Sequence, residues 1–184
     1  MIETTRLILR PFLEKDAADV LEYLREPAVH CFASMKLHSL DEARTEMKKR
    51  AGETEYYFAI VLKETEKVIG EIAAYPERSE PHDTASPLDT FSPCWMLNKN
   101  FQGNGYAYEA ASAFFDYLFC EKGARRIYAY TEDYNLQSQH LCEKLGMRRE
   151  GLFKEFVSFL NNSDGTPHYE NTVQYAILKK EWKK

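Results

Sequence analysis

The stretch Asn98-Lys99-Asn100-Phe101-Gln102-Gly103-Asn104-Gly105-Tyr106-Ala107 carries the most readable chemistry in the chain. Two glycines spaced by one residue let a backbone turn tightly and leave several N–H groups directed outward. A helix starting just after them adds its unsatisfied first-turn donors and the positive end of its dipole. Together these groups hold a phosphate or diphosphate without any cationic side chain. A plain strand-to-helix turn would show the same two glycines. Two nucleotide loops fail in detail. The Walker A loop needs Gly-Lys-Ser/Thr, and the dinucleotide fingerprint needs a third glycine where Tyr108 stands.

The apolar pattern supplies a strand and a helix to hold this segment. Residues 94–97 read as a short strand. Ala107, Ala110, Ala111, Phe114, Phe115, Leu118 and Phe119 follow the i, i+3, i+4 series through three turns, with Gly123 suited to the position past the helix end. Upstream, residues 4–12 alternate as a first strand, and residues 15–25 place Ala17, Val20, Leu21 and Leu24 at helical spacing until Pro27. Ser39 with Glu42 reads as a capping box opening a polar helix through about Arg50. Residues 56–62 and 67–75 read as strands. Downstream come a strand at 126–131, a helix at 135–145 stopped by Gly146, and alternating strands at 151–160 and 169–178 joined by a hairpin loop. Residues 76–93 hold four of the seven prolines and read as a long surface loop. The strands on either side of it are too short to found separate cores, so one domain over residues 1–184 is expected.

Composition bounds the function. A chain of 184 residues that is 44% apolar and 14% aromatic can build a hydrophobic core and is neither disordered nor collagen-like. Its net charge of −5 argues against duplex nucleic acid as a partner. No apolar run reaches the ~18 residues of a membrane span, and residues 1–10 do not resemble a signal peptide, so a cytoplasmic protein is expected. Cys31, Cys94, Cys120 and Cys142 form no Cys-x-x-Cys pattern and read as reduced thiols, mostly buried. His140 and Cys142 are a close pair that lacks two further zinc ligands, and no metal is expected.

Gln102-Gly103-Asn104-Gly105-Tyr106-Ala107 resembles the Gln/Arg-x-x-Gly-x-Gly/Ala motif of the Gcn5-related N-acetyltransferases (GNAT), which grip the pyrophosphate of acetyl-CoA. Asn135-Leu136-Gln137-Ser138, Glu143-Lys144-Leu145-Gly146-Met147 and Glu150-Gly151 resemble that family's Asn-x-x-Ser … Glu-Lys-Leu-Gly-Phe … Glu-Gly stretch. Thr4, Arg6, Leu7, Leu9, Arg10 and Pro11 are similar to the opening of its ribosomal-protein N-terminal acetyltransferase branch. The resemblance covers nearly the whole chain. It implies an α+β fold: a central mixed, mostly antiparallel sheet of about seven strands, splayed between the fourth and fifth, with about four helices and acetyl-CoA in the cleft. By position, Met96 and Leu97 would offer backbone N–H groups to the thioester and pantetheine. Gln102, Gly103, Asn104, Gly105, Tyr106 and Ala107 would hold the pyrophosphate. Asn135 would bond the pantetheine arm, Ser138 would lie near the sulfur, and Lys144 would meet the CoA phosphates or stand as a solvated lysine.

The chain departs from the family where the proton chemistry lies. Cys142 stands where many members carry a tyrosine that protonates the departing thiolate. Ser92 takes the place of a glutamate at the start of the fourth strand, and Val157 that of an acidic residue on the sixth. Glu155 lies two residues before Val157 and, by alternation, on its face. Glu71 and Glu155 are therefore the candidate bases, each also readable as a surface carboxylate. Ser138 and Cys142, four apart on one helix face, are the candidate proton donors. The reading is an N-acetyltransferase that moves acetyl from acetyl-CoA directly to a primary amine, on a small molecule or a protein N-terminus, as a monomer or homodimer. Its rivals are a non-catalytic acyl-CoA-binding module and, among enzymes, an antibiotic or polyamine acetyltransferase. The 76–93 segment would be an extra wall of the acceptor site.

Overall fold

The computed structural model describes residues 1–183. The chain divides into two compact units, Met1–Ala28 with Ser34–Ala74 and Cys94–Phe114, and Val29–Ala33 with Tyr75–Pro93 and Phe115–Lys184. The strands β1 (Ile2–Glu3), β2 (Leu7–Arg10), β3 (Tyr57–Leu62), β4 (Val68–Ala73) and β7 (Cys94–Leu97) form the sheet of the first unit, in the order β1-β2-β3-β4-β7 and antiparallel throughout. The alternation read in residues 4–12 is real: Leu7 and Leu9 are buried, while Ile8 and Arg10 are half-buried. Gly70 is required where β4 meets β7, because a Cβ there would stand 2.3 Å from the Met96 carbonyl oxygen.

Helix α1 (Ala17–Leu24) buries Val20, Leu21 and Leu24. Helix α2 (Leu40–Arg50) begins where the capping signal placed it, with Ser39 Oγ accepting the Glu42 N–H at 3.1 Å. The Glu42 carboxylate accepts from the His38 N–H at 2.8 Å instead of closing the box on Ser39. From α2 the Arg50 guanidinium enters the unit at 4% exposure and donates to Glu71 on β4 (2.8 Å) and to Glu46 (2.9 Å). It also lies 5.2 Å from the Phe12 ring centroid and 5.1 Å from that of Tyr57.

In the second unit, β5 (Pro76–Arg78), β6 (Leu88–Phe91), β8 (Arg126–Glu132), β10 (Pro167–Leu178) and β9 (Arg148–Asn161) form a sheet in the order β5-β6-β8-β10-β9. Only β6 and β8 run parallel. Residues 76–93 are therefore not a long structureless loop. They form a hairpin in which Pro76 pairs with Phe91, with loop at 79–87 and at the two-residue link 92–93. The prolines misled because none interrupts a strand: Pro76 opens an edge strand, Pro81 lies in the hairpin loop, Pro87 precedes β6 and Pro93 separates β6 from β7. The fourth and fifth strands of the sequence reading, β7 and β8, belong to different sheets.

Helix α3 (Tyr106–Cys120) carries the apolar stripe as read. Phe114 packs edge-on against Phe58 at 5.9 Å in the first unit, and Phe115 and Phe119 lie 5.6 and 5.8 Å from Trp182 in the second. Each fully buried Phe contributes about 1.5–3 kcal/mol. Helix α4 (Leu136–Lys144) ends at Gly146, whose φ of +80° is the left-handed cap expected of it. The expectation of mostly buried thiols holds for Cys142 alone: Cys31 is half-buried, and Cys94 and Cys120 are exposed at the ends of their elements.

Arg50→Met would leave the Glu71 carboxylate buried without its charge partner, a loss of about 3–5 kcal/mol. The measurement is the urea unfolding midpoint. The double variant Arg50→Met/Glu71→Met should recover at least half of that loss, because an apolar pair replaces a buried ion pair at little net cost.

Candidate functional site

In the first unit, β7 leads into a 3₁₀ turn (Lys99–Phe101) and then into the glycine loop and α3. Asn98, 2% exposed, fixes this exit. Its N–H donates to the Ile69 carbonyl (2.8 Å), its Oδ1 accepts from Asn100 N–H (3.1 Å), and its Nδ2 donates to Glu22 Oε1 (3.0 Å). Glu22 also accepts from Asn100 Nδ2 (3.1 Å) and Lys67 Nζ (2.7 Å). The Lys67 and Asn98 bonds hold its carboxyl down at about 2. Since Asn98 bonds to β4, the alternation of ladder bonds also engages the Met96 N–H and turns that of Leu97 to the edge of the sheet. Gln102 Nε2 reaches back to the Leu97 carbonyl at 3.3 Å.

Gly103 and Gly105 both adopt φ of +79°, a conformation that side chains rarely accept. Among the described residues, no backbone bond outside helices and strands uses the N–H of Gly103, Asn104, Gly105 or Tyr106. Gly103, Asn104 and Gly105 are exposed, and Tyr106 and Ala107 half-buried. The result is an open row of donors at the start of a 15-residue helix. Arg6 braces it: one guanidinium nitrogen donates to the Asn104 carbonyl (3.0 Å), Nε donates to Glu109 (2.7 Å), and the guanidinium carbon lies 4.4 Å from the Tyr106 ring centroid. Glu109 also accepts from the Arg6 N–H and from Thr4 Oγ1. Burial opposes ionisation of Glu109, yet these bonds leave its pKa lowered.

The second unit holds the other candidates. Asn135 caps α4, its Oδ1 accepting the Ser138 N–H at 3.2 Å and its Nδ2 donating to Glu132 at 3.3 Å. Ser138 is half-buried and Lys144 exposed. Cys142 is fully buried, and burial, with Glu143 nearby, pushes its thiol up to about 12. Glu155 is exposed at a bulge of β9 with φ of +47°, so the alternation that gave it the face of Val157 is interrupted there. In the first unit, Glu71 is not a surface carboxylate: it is 4% exposed and accepts from Tyr23 Oη (2.8 Å), Tyr57 Oη (2.7 Å) and Arg50 (2.8 Å). The structure thus gathers Met96, Leu97, residues 102–107 and Glu71 in one unit, and Asn135, Ser138, Cys142, Lys144 and Glu155 in the other.

The family model described as "Acetyltransferase (GNAT) domain" matches residues 6–148. The chain belongs to the GNAT acetyltransferase family. YnaD of Bacillus subtilis strain 168, named as an uncharacterized N-acetyltransferase, is 32% identical over 181 residues, which cover 98% of each chain. The crystal structure of a GNAT-family acetyltransferase from Bacillus anthracis has a TM-score of 0.81 at 29% identity, covering 98% of this chain and 99% of that one. A ribosomal-protein-S5-alanine acetyltransferase from Vibrio fischeri, 19% identical with a TM-score of 0.69, shares the fold, covering 99% of this chain and 98% of its own. GNAT enzymes in general draw on acetyl-CoA and act on amines. The loop fits a diphosphate: two left-handed glycines open the backbone, and nothing lies within 4 Å of where a Gly103 Cβ would be. No helix among the described residues is long and apolar enough to cross a membrane.

Sequence reasoning missed Glu22 and Glu109, and saw Asn98 and Arg6 only as parts of motifs. Arg6 and Glu109 are 103 residues apart, and no local pattern joins them.

Two measurements follow. Gly105→Val should lower CoA affinity at least tenfold by calorimetry with the circular dichroism spectrum retained, since valine at positive φ is strained and covers the donors. The stabilisation from Glu22 is full above about pH 5 and lost as pH falls towards about 2, because its folded pKa is depressed. The gap in urea midpoint between the wild type and Glu22→Gln should therefore be present at pH 7 and close progressively as pH falls from about 4.5 to about 2.

Proposed function

We propose that this GNAT chain, as one domain, is an acetyl-CoA-dependent N-acetyltransferase that acetylates a primary amine by direct transfer. The observation that carries the reading is the open row of N–H donors between Gly103 and Tyr106, set in left-handed turns at the start of α3 and braced by Arg6. Gly103, Asn104, Gly105 and Tyr106 would hold the diphosphate; by the family resemblance Asn135 would bond the pantetheine arm and Lys144 would meet a CoA phosphate. Bound acetyl-CoA supplies an activated acyl group as a thioester. The Leu97 N–H, free at its sheet edge, is the donor available to a developing oxyanion.

Ser138 is the proton donor in this reading. It is half-buried, one turn into α4, whereas Cys142 is sealed in the core with its thiol pushed up to about 12. Glu71 is a poor base, because three donors already saturate it. Thr4 and Arg6, which the ribosomal-protein branch shares, support a protein N-terminus as one acceptor; a small primary amine is the other.

Steady release of CoA in the presence of acetyl-CoA, a primary amine and a thiol reagent supports the enzyme. Saturable acetyl-CoA binding with no release from any amine supports a binding module instead. Ser138→Ala should lower kcat about ten- to a hundredfold with little change in CoA affinity, and Cys142→Ala by less than threefold. The reverse ranking would move the donor to Cys142.

A further inference from the structure

One buried cluster in the second unit has no structural explanation. Glu132 and Glu170, on β8 and β10, are 5% and 6% exposed. The short helix His30–Met35 reaches both of them: His30 Nδ1 bonds to Glu170 Oε1, and the Cys31 N–H donates to Glu132 Oε1 at 3.3 Å. Glu170 Oε2 is buried and has no hydrogen-bond partner. An orphaned buried carboxylate oxygen costs about 1–3 kcal/mol or more, and native proteins rarely keep one without a use. Glu71, equally buried, shows the contrast with three donors. Among the described residues no group of three or more His, Cys, Asp or Glu is arranged to hold a metal ion. The cluster meets solvent at His30, whose side chain is 43% exposed, and at Tyr134, 47% exposed, whose ring lies 5.6 Å from that of His30. It also adjoins Asn135, assigned above to the carrier, whose Nδ2 donates to Glu132 Oε2 at 3.3 Å.

We propose that Glu170, Glu132 and His30 form the acceptor subsite, in which Glu170 Oε2 accepts an N–H from a primary ammonium and His30 removes its proton. This rests on the N-acetyltransferase reading and deepens it. A carboxylate on Nδ1 makes that nitrogen the donor and leaves Nε2 as the basic one. The ammonium gives one proton to Nε2. The freed lone pair forms a C–N bond to the acetyl carbonyl carbon as the C–S bond breaks with its electrons on sulfur. The second nitrogen proton ends on that sulfur, leaving an amide, a thiol and one proton that His30 returns to solvent.

The neighbourhood also selects the amine. Tyr130, two residues from Glu132 and on its face of β8, meets Phe153 edge-on at 6.1 Å and Phe156 at a tilt at 5.6 Å, and Tyr130 and Phe156 are about half exposed. An ammonium carried on an apolar group fits this flank better than a polyamine. Such a group comes from an arylalkylamine or from a peptide with an apolar first residue.

The test uses phenethylamine, spermidine and a short peptide beginning with phenylalanine. Titratable groups facing His30 are Glu170 and His168 from β10, Glu132 and Tyr134 from β8 and the turn after it, and Cys31 beside it. In the protein without acetyl-CoA, phenethylammonium should shift one histidine imidazole NMR signal saturably; that signal should be missing in His30→Gln, and the shift lost in Glu170→Gln. With acetyl-CoA, kcat/KM for the preferred apolar amine should exceed that for spermidine at least tenfold. His30→Gln should lower kcat/KM about a hundredfold. Glu170→Gln should raise the amine KM at least tenfold. In both variants the acetyl-CoA affinity should be unchanged by calorimetry, and His168→Asn should keep kcat/KM within about threefold. No imidazole shift, or full kcat/KM in both variants, overturns the subsite. A saturable shift with no acetyl transfer to any amine keeps the subsite and overturns the transferase reading.

Discussion

The Glu109 carboxylate is the contact on which the glycine loop depends. It sits in the first turn of α3, where a negative charge is favoured by the helix dipole, and it collects Thr4 Oγ1, the Arg6 N–H and the Arg6 guanidinium. Held in this way, Arg6 has one arm left for the Asn104 carbonyl and a flat face for Tyr106. A loop with two left-handed glycines has much conformational freedom to lose. The Arg6 brace from above and the Asn98–Glu22 bonds at its entry remove that freedom before any ligand arrives, and preorganisation of this kind is how a site of backbone donors reaches useful affinity.

Two buried carboxylate clusters show how differently similar groups can be used. Glu71 is closed: Tyr23, Tyr57 and Arg50 occupy it, and its burden is to hold α2 on β4. Its negative charge, on top of burial, raises the tyrosine pKa values, so both phenols stay protonated as donors. Glu170 is open, with one oxygen committed to His30 and the other to nothing. Saturation, more than burial, separates a structural carboxylate from a chemical one.

Local pattern made most of the fold legible. The stripe from Ala110 to Phe119 gave α3, Ser39 gave the start of α2, and the alternation of Leu7 and Leu9 gave β2. The glycine loop was legible because positive φ leaves a mark in residue type. The 76–93 segment was misread because proline counts against strands on average, whereas these prolines open an edge strand or fall in the loops between strands. Glu71 was read as a surface group because alternation tells which residues share a face and not what covers that face. His30, Glu132 and Glu170 left no signal: they are scattered over 140 residues, and only the sheet register and the path of the 29–33 segment assemble them.

The bulge at Glu155 has a consequence for the life of the protein in a crowded solution. Strand β9 is 14 residues long, lies at the rim of its sheet and exposes Leu152, Phe153, Phe156 and Phe159. A flat rim of that length and greasiness is a template on which a second chain could grow a cross-β stack. The left-handed turn at Glu155, held by its N–H to Asn171 Oδ1 at 3.0 Å, breaks the rim into two short, twisted segments that no straight strand can follow. At the opposite rim, Pro76 withholds an N–H from the shorter β5. The sheet thus guards both margins against self-association, leaving its aromatic surface available for a smaller guest.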